Sequence, residues 1–236
     1  MPTMVCGLMV TVHGLHYTAG LYFDGALHPR EWSGLWRIFT FPFLHGNWSH
    51  LLSNLPPLFL LSTALFGLYT SLSARVVTGI YLMSGLLTWA MGEQGSRHVG
   101  ASGLVYGLAA FLFLSGLLRR YRPLMGLSLL ISFLYGGMIW GVLPQGGNVS
   151  WEGHLSGAIS GIVLALYYRR DGPQPPTPTD FEEKSLPEDI TYDDLHHYWL
   201  KVPATWPPEY ASNQDTSTSK PPLRVIYHYR LDRNGG

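Results

Sequence analysis

At 236 residues the chain has room for one large domain, or for one domain and a tail, and its net formal charge of zero hides an internal division. Residues 1–170 hold nine arginines, no lysine and four acidic residues, a balance of +5, whereas 171–236 hold six basic and eleven acidic residues, a balance of −5. No basic run marks a nucleic-acid footprint, and the single cysteine, Cys6, excludes both an intramolecular disulfide and a thiol metal site; it reads as a small apolar side chain.

A helix needs roughly 17–25 mostly apolar residues to cross a bilayer. Met4–Phe23 lacks formal charge but carries His13, His16 and several small residues, which makes it a marginal first span. With no basic n-region and no small-residue cleavage site, it does not read as a signal peptide. The stretch 25–49 is too polar to span. Its Trp32, Trp36, Phe39, Phe41, Phe43 and Trp48 suit the headgroup level, which predicts a loop half sunk in the outer leaflet. Apolar runs follow at about 48–68, 76–91, 103–118, 124–143 and 154–168.

Six spans put Arg75, Arg119, Arg120, Arg122, Arg169 and Arg170 on the side of the amino terminus, against Arg30, Arg37 and Arg97 opposite. The positive-inside rule then predicts cytoplasmic termini for a multi-pass protein of a cell (inner) membrane. The expected fold class is an all-α polytopic bundle over 1–170. A proline-rich acidic cytoplasmic tail follows at 171–236, with ten of the seventeen prolines. Such a tail cannot bury enough surface to fold alone. Within it, Leu223–Leu231 is a strand candidate for some unknown partner, and His196-His197 reads as part of a solvated acidic segment rather than as a metal site.

Two spans carry chemistry at their outer mouths. Gly100-Ala101-Ser102-Gly103 opens one, and Glu152-Gly153-His154 opens another. The serine is not in a G-x-S-x-G elbow, since Leu104 stands where the second glycine would be, and the tetrad alone reads as helix packing rather than chemistry. His154 shifts the balance, because an ionisable residue within a span is costly and marks a functional candidate. Gly153, Gly157 and Gly161, opposite Gly103 and Gly107, would let two backbones approach closely enough to bring a hydroxyl to an imidazole. Glu152 lies about 200° around the helix from His154 and reads as a solvated residue at the helix mouth. The expectation is therefore a Ser-His dyad, with Tyr106, one turn after Ser102, able to stack on the imidazole. His50 and Asn54, four residues apart, can donate to a developing oxyanion. A metal reading of His45, His50 and Asn54 lacks an HExxH helix or a carboxylate ligand, and no metal or other cofactor is expected.

From Trp36 to Tyr168 these residues resemble the rhomboid family of intramembrane serine proteases. The resemblance rests on Trp36-Arg37, the His45/His50/Asn54 pattern, Gly100-Ala101-Ser102-Gly103 with Tyr106, and His154 with Gly157 and Gly161. It implies a six-helix fold with a water-accessible cavity open outward, Ser102 as nucleophile and His154 as general base. It further implies an oxyanion hole of His50, Asn54 and the Ser102 backbone N–H, with Tyr106 packed against the imidazole and His45 organising the first loop. The segment from Phe133 to Trp140 would correspond to the lateral gate. Pro56-Pro57 departs from the pattern and should kink the second span. Substrates would be transmembrane proteins in the lipid bilayer, cut at small residues in a locally unstable helix. Two alternatives compete: a catalytically inactive rhomboid-like protein that binds membrane clients, and a small transporter. The second would need polar residues lining a path across the membrane.

Overall fold

The structure, a computed structural model, describes residues 2–19, 24–144 and 150–175. All of them fall in one compact unit, and the tail segments singled out above lie outside the described residues. The fold is all-helical, with α1 (Pro2–Ala19), α2 (Trp48–Leu68), α3 (Ser73–Met91), α4 (Ser102–Arg119), α5 (Arg122–Tyr135) and α6 (Trp151–Tyr167). The first loop holds 3-10 turns at Trp32–Phe39 and Phe41–Phe43, and α5 tightens into another at Gly136–Val142. Four stretches, Trp48–Leu68, Ser73–Met91, Ser102–Arg119 and Arg122–Val142, are long and apolar enough to cross a membrane. Helix α6, with 17 residues, and α1, whose His13 and His16 make it less apolar, complete the six.

Helix α4 is the axis of the bundle. Of its apolar window 56% is buried, against 11% for the stretch Arg122–Val142, and it packs on α2, α3, α5 and α6. Lipid tails are as apolar as leucine, so burial alone supplies little drive for helices to associate, and close backbone approach must supply the contact. That approach is built by glycine. A Cβ on Gly157 would collide with the Gly103 carbonyl, and one on Gly161 with the Gly107 carbonyl. In the other direction, a Cβ on Gly107 would stand 3.1 Å from the Gly157 carbonyl and one on Gly103 3.2 Å from that of Gly153. The spacing noticed in the sequence thus becomes a continuous α4–α6 seam.

The end of this seam away from Ser102 is tied by a buried cation. Arg119 donates to the carbonyls of Tyr168 and Asp171, each at 2.6 Å, and to Ser115 Oγ, while its guanidinium lies 5.3 Å from the Tyr69 ring centre. At the opposite end of the bundle the first loop is a structured cap. Arg37 pairs with Asp24 at 3.0 Å and with Glu31 at 3.6 Å, and Arg97 reaches Asp24 at 2.7 Å. Leu27 and His98 exchange two backbone hydrogen bonds of 2.9 Å, and Tyr81 Oη donates to the Phe39 carbonyl at 2.6 Å. Trp32, Trp36 and Phe39 stay exposed on this cap. Cys6 is half-buried against the core, in keeping with its apolar reading.

One expectation needs correction, that for Glu152. Pro56 and Pro57 lie inside α2, which is a single helix from Trp48 to Leu68. They strip donors from the Leu52 and Ser53 carbonyls without ending the helix. Glu152 is buried, not solvated. Helix α6 begins at Trp151 rather than near 154, and the loop carrying His98 packs over its first turn.

Candidate active site

Helices α2, α4 and α6 all begin at the same end of the bundle, and each brings a chemically active side chain in its first turn. Helix α2 starts where Asn47 Oδ1 accepts the His50 N–H at 2.8 Å, which fixes His50 at the mouth and Asn54 one turn inward. Asn54 is buried, and its Nδ2 donates one proton to the His50 carbonyl at 3.1 Å, leaving the second for another acceptor. Gly100 lies directly against both residues. A Cβ there would stand 2.7 Å from the His50 ring and 3.7 Å from Asn54 Nδ2, and its φ of +111° is one that side-chain-bearing residues rarely adopt. The Gly100 N–H donates to the Phe41 carbonyl at 2.9 Å, locking the entry to α4 onto the first loop.

Ser102 is the first residue of α4, half-buried, and that helix has no side-chain cap. Its opening N–H groups therefore lack the usual side-chain acceptor and point their partial positive charge toward the site. His154, half-buried in the first turn of α6, is held by two contacts. Its Nδ1 bonds to the Gly141 carbonyl at 2.9 Å, and its ring stacks on Tyr106 with centroids 4.2 Å apart and planes within 10°. A carbonyl can only accept, so Nδ1 carries the proton and Nε2 offers its lone pair. The Gly141 carbonyl thus holds the imidazole in one tautomer. A side chain at 141 would collide with the Tyr106 hydroxyl and approach His154 Nδ1 to 3.2 Å.

The structure therefore brings His50 and Asn54 against Gly100, and Tyr106 against His154. It does not join Ser102 to His154: among the described residues, Ser102 Oγ makes no hydrogen bond, and the contact recorded for the His154 ring nitrogens is that of Nδ1 with Gly141. His45, buried behind His50, meets its ring edge-on at 5.1 Å and neither ring nitrogen has a hydrogen-bond partner. Burial pushes the His45 imidazole down to about 4, with His50 beside it adding to the effect and the Phe43 carbonyl opposing. A cavity of about 100 Å³ is bounded by His13, His16, His45 and Arg97, and neither Ser102 nor His154 lines it. No group of three or more His, Cys, Asp or Glu among the described residues is arranged to hold a metal ion.

Gly141 and His98 are the residues that sequence reasoning missed. Neither carried a signal, because each acts through a contact with a distant segment. With this geometry in view, residues 33–171 match the Rhomboid domain model. The chain belongs to the rhomboid family. Among relatives, an uncharacterised protein of Mycobacterium tuberculosis (strain ATCC 25618 / H37Rv) is 41% identical over 149 residues, covering 59% of this chain and 61% of that protein. An uncharacterised protein of Mycobacterium leprae (strain TN) is 44% identical over 142 residues, covering 56% and 55%. The rhomboid-like protein 11, chloroplastic, of Arabidopsis thaliana is 29% identical over 143 residues, covering 53% and 49%. The matched region thus spans only half to three-fifths of each relative's length. This rhomboid is an integral membrane protein whose helices contact the bilayer.

Proposed function

We propose that this rhomboid is an intramembrane serine endopeptidase that hydrolyses peptide bonds in or beside transmembrane segments of membrane proteins. One observation carries the reading: the His154 ring is held by Gly141 and Tyr106 in the tautomer that leaves Nε2 basic, one helix away from Ser102. In this mechanism Nε2 takes the Ser102 proton as Oγ attacks the scissile carbonyl, and the resulting imidazolium hands that proton to the leaving amine. The oxyanion accepts from the His50 imidazole, the free Asn54 amide proton and the backbone N–H at the head of α4. Loss of one such donor costs about 2.7–4 kcal/mol of barrier. Water then hydrolyses the acyl-enzyme.

A peptide bond inside a helix is shielded by its own hydrogen bonds, so substrates with small residues and a locally unstable helix fit this site. Entry past the segment Phe133–Trp140 suits the light packing of that segment, whose Phe133, Ile139 and Trp140 are exposed. The arginine asymmetry supports a site opening on the outer face with both termini cytoplasmic.

The unmade Ser102–His154 bond is the observation that favours the second reading, a membrane-client binding protein without activity. Catalytic hydrogen bonds in substrate-free enzymes are often long and tighten on binding, and nothing removes either group here, so the enzyme is the better account. The deciding experiment follows cleavage of a single-span reporter in liposomes by the parent, Ser102→Ala and His154→Ala proteins. Cleavage by the parent alone is expected. Equal cleavage by parent and Ser102→Ala excludes this serine from the mechanism.

A further inference from the structure

Ser96, His98 and Ser150 form a hydrogen-bonded strut outside the chemistry described above. His98 stands four residues before Ser102 and is buried. Ser150 is the N-cap of α6, accepting the Gly153 N–H at 3.2 Å. Between them, His98 Nδ1 and Ser150 Oγ lie 2.6 Å apart, and His98 Nε2 lies 2.8 Å from Ser96 Oγ.

The protons in this strut are fixed by what each atom already does. Ser96 Oγ donates to the Glu93 carbonyl at 2.6 Å, so it accepts from His98 Nε2–H. A neutral imidazole then has an acceptor at Nδ1, and the Ser150 hydroxyl donates to it while its lone pair takes the Gly153 N–H. Burial pushes the His98 pKa down, with Glu152 opposing and His28 assisting, so the neutral ring this chain requires is the one its surroundings favour. The backbone of His98 is pinned in turn by its paired bonds with Leu27.

We propose that His98 is a positioning residue: its imidazole ties the first turn of α6 to the loop entering α4, and so sets where His154 stands relative to Ser102. The proposal rests on those two residues being the reacting pair. The seam explains why a tie is needed at that end. Glycine contacts hold α4 and α6 along their length, and Arg119 ties their inner ends. His154 adjoins the last of these contacts, Gly103 against the Gly153 carbonyl, so a small rocking of α6 about the Gly157 contact would still displace it. A misplacement near 1 Å can cost about a hundredfold in rate.

The test uses the full chain in liposomes with His98→Phe, His98→Asn, Ser150→Ala and the His98→Phe/Ser150→Ala pair. Phenylalanine fills the space without either bond, whereas asparagine Oδ1 can replace Nδ1 as the acceptor for the Ser150 hydroxyl. On a single-span reporter, His98→Phe is expected to lower kcat about tenfold or more while KM stays within about twofold. Ser150→Ala should behave alike, the pair should add little further loss, and His98→Asn should recover most of the rate. Amide hydrogen exchange should quicken at 98–104 and 150–156 but not at 112–119 or 162–167. Full kcat in His98→Phe, an asparagine variant no better than phenylalanine, or exchange quickened throughout both helices would each overturn the proposal. A parent that cleaves no better than Ser102→Ala defeats the serine reading instead, and the exchange pattern still decides whether the strut holds the two helix starts.

Discussion

Gly157→Ala is the most informative single change in the α4–α6 seam. The added methyl would occupy space now filled by the Gly103 carbonyl, and the nearest escape is outward movement of α6, because the obstruction is backbone rather than a flexible side chain. Restoring ordinary contact requires a separation of on the order of 1 Å, and forcing one extra carbon into a filled interface costs about 1–3 kcal/mol. Since Gly103 directly follows Ser102 and Gly157 lies one turn below His154, the same displacement widens the gap the proton must cross. A loss of kcat of about a hundredfold is expected, with a lower melting temperature. Gly67→Ala is the matched control: nothing lies within 4 Å of a Cβ there, so activity and melting temperature should hold or rise slightly. Reporter cleavage and thermal unfolding of the two variants in the same detergent make the comparison. If Gly157→Ala retains parental kcat and stability, the helices do not touch through their backbones and the seam argument is wrong.

Gly100→Ala should cost about 1–3 kcal/mol from its φ of +111° alone and also press on the His50 ring, so reporter kcat should fall along with the melting temperature. Arg119→Leu removes buried charged donors from the Tyr168 and Asp171 carbonyls and should lower stability by about 2–3 kcal/mol. Because Arg119 lies at the far end from the site, turnover per folded molecule should change little. The buried His45 binds its proton less readily folded than unfolded, so its contribution to stability is intact above about pH 6.5. It is lost as pH falls toward 4, up to on the order of 3 kcal/mol. Thermal melts from pH 7.5 to 4.5 should therefore show a shallower acid decline for His45→Gln than for the parent.

The spans were legible because lipid demands long apolar runs and glycine at four-residue spacing signals close approach, both of which are local properties of the chain. The juxtaposition of the α4 and α6 mouths followed from those two facts. What the sequence concealed was non-local. Glu152 looked solvated because a carboxylate at a helix start usually is, yet it is buried where His98, from a distant loop, meets the N-cap Ser150. Gly141 gave no hint that its carbonyl would orient His154, since that contact depends on how the tightened turn after α5 returns toward Tyr106.

The account depends on Ser102 being made nucleophilic by His154, and covalent labelling tests that most directly. Treating the purified protein with a fluorophosphonate and mapping the adduct by peptide mass spectrometry should place the phosphonyl group on Ser102, with labelling lost in Ser102→Ala and strongly reduced in His154→Ala. An adduct on a different residue, or equal labelling of the parent and Ser102→Ala proteins, would contradict it.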